Sequence, residues 1–125
     1  MTDRVDANRQ WYDRAGRPIS ADEAERLLGQ PGYDKIGSTT VMDMADLDWI
    51  RDVSTVWIGL AFDEGGEPGP PLIFESAVFD RDHTTLEHRW YATEEEAALA
   101  HETFVVSACD EAVDPVVLQT ADPVS

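Results

Sequence analysis

Asp80, Asp82, His83, Glu87 and His88 crowd around one short stretch, and all five are types that ligate divalent metals. A metal site needs such groups to converge with defined geometry. His83 and His88 are not spaced as a helical HExxH pair, and the chain contains no CxxC. The stretch therefore reads as a solvated turn, with no metal and no cofactor. Nucleophilic catalysis needs Ser, Cys or Thr beside an activating base. Cys109, the single cysteine, lies next to Asp110 and Glu111, whose charges disfavour a thiolate. Ser54 and Ser76 fall in strand-like runs without a GxSxG elbow. Among 26 acidic residues some carboxylate pairs lie close by chance, so a glycosidase-type pair is not diagnostic. The segment GEPGPP has no lysine and opens no helix, unlike a phosphate loop. His101 reads as a core or rim histidine bonded to a backbone group, not a base. The chain is not read as an enzyme.

Binding is the stronger theme. Trp57 shares a strand face with Thr55, Gly59 and Ala61, so its ring has room to lie across Gly59. Antiparallel pairing would bring Ile73 or Phe79 to the same side. An aromatic centre rimmed by Asp46, Asp48, Asp63 and Glu64 has the composition of an interface. The competing reading has the second helix, or an N-terminal strand with Trp11 and Tyr12, covering that face. Glu75, between Ile73 and Ala77, either faces solvent or is partly buried and needs a partner.

These residues need elements to position them. Gln10–Asp13 reads as a short edge strand closing on a turn at Gly16. Pro18-Ile19 leads into a helix over 21–28, with Ser20 and Glu23 as a capping box and Gly29 and Pro31 as its stop. Tyr33–Val41 is strand-like, and MDMADLDWIRD reads as a turn running into the next strand. That strand, 53–61, carries Val56, Ile58 and Leu60 on its aliphatic face. A Gly/Pro-rich loop follows, then a strand over Leu72–Phe79. Both runs are apolar on more than one face, so both are central strands whose second face is partly covered. Leu86–Tyr91 returns as another strand. Thr93 and Glu96 cap a second helix running to about Ala108, with Ala97, Ala98, His101, Phe104, Val105 and Ala108 on one arc. Residues 109–125, with Pro115 and Pro123 and no clear period, read as a flexible acidic tail.

The fold class expected is α+β: residues 1–108 form a single domain, an antiparallel sheet of four or five strands with two helices mainly on one face. The 125 residues suit one domain, and the formal charge is −17. Residues 1–30 hold five Lys/Arg against six Asp/Glu, while the remainder holds four against twenty. Direct binding to nucleic acid or an anionic membrane is disfavoured, because phosphate contacts rely on Lys and Arg. A basic or nucleic-acid-binding protein partner, or a homodimer, is favoured instead. No run reaches the roughly 20 apolar residues of a membrane helix. With one cysteine and no signal-like N-terminus, a reducing, cytoplasmic compartment is expected, and the resemblance given below implies that of a bacterial host.

The stretches YDRAGRPIS (12–20), STVWIGL (54–60), GPPLIFESAVF (69–79) and YATEEEAALAH (91–101) resemble a group of small uncharacterised proteins of actinobacteria and their phages. The chain departs from that group at Ala61-Phe62, where Asp-His is expected, and at Ala100, where Gly is expected. The resemblance implies phage or mobile-element accessory genes and no particular activity. The combined expectation is a small protein–protein interaction module. A mimic of nucleic acid that inhibits a DNA- or RNA-binding protein is the alternative.

Overall fold

The computed structural model describes residues 10–62 and 70–119. In chain order the elements are β1 (Trp11–Tyr12), β2 (Pro18–Ile19), α1 (Ala21–Leu28), β3 (Lys35–Asp43), β4 (Asp46–Phe62), β5 (Leu72–Phe79), β6 (Thr85–Tyr91), α2 (Glu94–Glu111) and β7 (Pro115–Gln119). Among the described residues the architecture is α+β, two helices with one seven-stranded sheet whose pairings are all antiparallel. Five strands lie side by side as β7-β3-β4-β5-β6, and the β1–β2 hairpin joins β4 beyond them, Trp11 opposite Leu60.

Both extra strands come from stretches that read otherwise. Pro18-Ile19 forms the second arm of a hairpin instead of leading the helix. Its turn is shaped by Asp13, whose carboxylate accepts from the N–H groups of Ala15 (3.0 Å) and Arg17 (2.9 Å), with Gly16 at φ +83. The expected flexible tail is also corrected: α2 continues to Glu111, and 115–119 pair with β3. The reason is Asp43, which accepts from Ala45 in the β3–β4 turn and from Val113 and Asp114 at the start of the return. One carboxylate so ties the turn to the crossing, and Pro115 opens an edge strand where a missing N–H is tolerated. Residues 120–125, the rest of that tail, lie outside the described residues.

Capping sets both helix starts. Ser20 accepts from Glu23 N–H, and at α2 Thr93 and Glu96 form the reciprocal capping box. Arg14 fastens the N-terminal hairpin to α2 through a two-point contact with Glu94 (2.8 and 2.6 Å) and donates to the Tyr33 carbonyl (3.0 Å). The guanidinium lowers the Glu94 pKa, chiefly through that hydrogen bond.

The core gathers Trp11, Ala24, Leu27, Trp57, Ile73, Phe74 and Ala97. In β4 the buried face is the odd one, Val53, Thr55, Trp57 and Gly59, whereas Val56, Ile58 and Leu60 are only partly buried. The aliphatic face is therefore not the buried one. The odd face is buried because α2 packs there, with His101 set against Thr39 and Thr55.

Candidate interaction surface

Under α2 lies a buried polar chain. His101 Nε2 is 2.9 Å from Thr39 Oγ1, and its Nδ1 is 2.8 Å from Thr55 Oγ1, which is 2.7 Å from Ser76 Oγ. Tyr91 extends it through a side-chain hydrogen bond to Ser76. The partners of His101 are thus side-chain hydroxyls, not a backbone group. A neutral ring donates at one nitrogen and accepts at the other, so the chain is satisfied in either sense. Burial pushes the His101 pKa down, outweighing the Glu102 charge that raises it. Gly37 makes the ring fit: a Cβ there would stand 2.9 Å from His101 Cε1 and Nε2. Thr55 and Ser76 are both 0% exposed, so no substrate reaches their hydroxyls. The chain joins β3, β4 and β5 to α2.

Pairing then decides which residues face away from α2. Paired residues in an antiparallel ladder share a face, and neighbours alternate. Thr39 and Thr55 point to the helix. The opposite, open side therefore carries the cross-strand rows Val116–Met42–Ile50, Leu118–Thr40–Asp52–Phe79, Ser54–Ala77–His88 and Val56–Glu75–Trp90. Both helices instead send buried residues into the cluster around Trp57 and Phe74. Of the two, α2 packs on the other side, where His101 meets Thr39 and Thr55, while Ile73 and Ala77, which alternate with Phe74 and Ser76 on β5, are buried, so the open side is covered at that end of the sheet. Two carboxylates lie in these rows and each is engaged: Asp52 accepts from Thr40, and Glu75 lies 2.7 Å from His88 Nε2. His88 tilts against Trp90 with ring centroids 4.2 Å apart.

The expected site residues separate into groups. Trp57 is 2% exposed and belongs to the core, which corrects its reading as an interface centre. Tyr33 meets it edge-on at 4.9 Å, Trp11 tilts against it at 6.4 Å, and its Nε1 donates to the Tyr12 carbonyl at 3.0 Å. The N-terminal strand thus covers this face, as the competing reading had it. Gly59, at φ +78, leaves space that the Trp11 and Trp57 rings fill. Ile73 is likewise 0% exposed, at the irregular β4–β5 register between Trp57 and Phe62. Glu75 and Phe79 do lie on the open side, partly buried, and Glu75 has the partner it required. Asp46 and Asp48 are exposed, but eleven residues of β4 separate Asp46 from Trp57, roughly 35 Å of strand, so they do not rim that ring. Asp48 pairs instead with Arg81. Asp63 and Glu64 lie outside the described residues.

The sequence reading missed His88 and Trp90 as parts of one face, together with Val116 and Leu118. The signal available was the strict alternation of Glu87, His88, Arg89 and Trp90. Asp80 is a turn former, its Oδ1 accepting from Asp82 and Thr84 N–H at 2.9 Å. Among the described residues no three His, Cys, Asp or Glu side chains gather as a metal site would require. No described helix is long and apolar enough to cross a membrane. Comparison with protein-family models, curated proteins and solved structures finds no match.

Proposed function

We propose that the protein is an acidic protein–protein interaction module that occupies a partner's surface through the open side of its sheet. One observation carries this reading. In a chain of charge −17, the side away from α2 presents Met42, Ile50, Val56, Phe79, Trp90, Val116 and Leu118 around two already engaged carboxylates. An apolar centre with a charged surround suits a protein contact. Burial of the His101 hydroxyl chain supports a binding role over a catalytic one. The resemblance noted above suggests a phage or mobile-element accessory protein acting in the bacterial cytoplasm.

The test is capture from an actinobacterial extract with the wild-type protein and with V116E/L118E, each with and without competing DNA. Val116 and Leu118 are 36% and 48% exposed, so the variant is expected to fold. A partner held by wild type, lost by the variant and indifferent to DNA supports the reading. A basic partner displaced by DNA and still held by the variant would replace it with nucleic-acid mimicry. Identical capture by both proteins, insensitive to DNA, would refute the open side as the contact.

A further inference from the structure

The outer edge of β6 is self-complementary. Among the described residues β6 pairs with β5 and with no other strand, so it is an edge of the described sheet. It carries Glu87, His88 and Arg89 in succession, with Glu87 and Arg89 both on the helix side because their β5 partners Val78 and Ser76 share that face. Their side chains are 50% and 67% exposed and lie 3.9 Å apart within the chain, a loose surface pair that two copies would exchange for two pairs across the axis. We propose that two copies of the chain associate by antiparallel pairing of β6 with β6 about a two-fold axis through His88 and normal to the sheet.

Charge selects this register. A two-fold axis normal to the sheet keeps both α2 helices on one side and pairs only residues of the same face. Centred on His88, it sets Glu87 of each copy opposite Arg89 of the other, twice over. Centred one residue earlier it opposes Glu87 to Glu87, and one later Arg89 to Arg89. Opposite charges directly across an antiparallel pair stabilise it and like charges destabilise it. The selection matters here because two chains of −17 repel, so association needs a place where charges balance.

Packing agrees with the edge chosen. On the helix side a channel runs between β6 and α2, lined by Glu87, Arg89, Tyr91, Leu99, Ala100 and Phe104 among others, and Leu99 is 69% exposed. Pairing would bring the channels of both copies to the axis, where the arginine stems have apolar surface to lie on. The register irregularity at Leu86 interrupts the ladder between Glu87 and Thr85, so the regular stretch is short and the dimer a weak one. This inference does not rest on the open-side reading, although His88 and Trp90 of that side belong to the paired strand, and its variants change only Glu87 and Arg89 on the helix side.

Sedimentation over a concentration series, with far-UV circular dichroism as a folding control, tests it. Wild type is expected to dimerise reversibly. R89E and E87R are each expected to weaken the dimer at least tenfold. E87R/R89E is expected to dimerise again, and an equimolar mixture of the two single variants to form a heterodimer. A wild type that stays monomeric up to hundreds of micromolar would overturn the proposal. So would folded single variants that dimerise like wild type, or a double variant that stays monomeric.

Discussion

His101 illustrates how one side chain sets both packing and pH response. Its folded pKa is depressed below the ordinary 6.5 by burial. Above that value both folded and unfolded states are neutral and stability is full. As the pH falls below it, the unfolded chain takes the proton more readily, so stability declines toward the lowered folded pKa. The urea midpoint is therefore expected to drop between pH 7.5 and 5.5, and less so in His101→Asn. Asp43 and Glu94, also depressed, lose their contributions only as the pH falls through the carboxylate range, below this window. Gly37→Ala would push a methyl against the pinned ring and is expected to cost about 1–3 kcal/mol in urea denaturation. Trp57→Ala is expected to cost about 3–5 kcal/mol, and Ile58→Ala clearly less, because the tryptophan fills the core and the isoleucine is only partly buried.

At the scale of elements, the two ends of α2 make separable contributions. The Thr93–Glu96 capping box is reciprocal, so Thr93→Ala is expected to destabilise by about 1 kcal/mol, read from the thermal midpoint. At the other end, removal of 115–125 strips β7 from β3. A larger loss is expected there, a melting temperature lower by well over the few degrees that about 1 kcal/mol produces. The bared β3 edge is also expected to raise aggregation on heating. Helix starts, the β5 strand and the β3–β4 turn were legible because their signals are local: a capping residue, an alternating run, a cluster of turn formers. β7 was not. Its five residues gain strand order from β3 and from the Asp43 carboxylate seventy residues away in sequence.

At the scale of the whole molecule, the large negative charge governs association. If the β6 dimer forms, raising salt is expected to tighten it while repulsion between two −17 chains dominates, since screening weakens that long-range repulsion. Sedimentation at low and moderate sodium chloride reads this directly, and loosening with salt would place the balance in the two Glu87–Arg89 contacts instead. The sequence by itself determined the α+β class, the two capped helices and the presence of two central strands apolar on both faces. Composition and short-range periodicity suffice for these, because caps and alternation act within a few residues. Which face of β4 became the core was decided only by tertiary structure. Periodicity separates two faces but does not say which one a distant helix will choose. Here the choice went to the face where Gly37 and Gly59 leave room, for the His101 ring in one case and for Trp11 and Trp57 in the other. That choice buried Trp57 and left the aliphatic, Trp90-bearing side open.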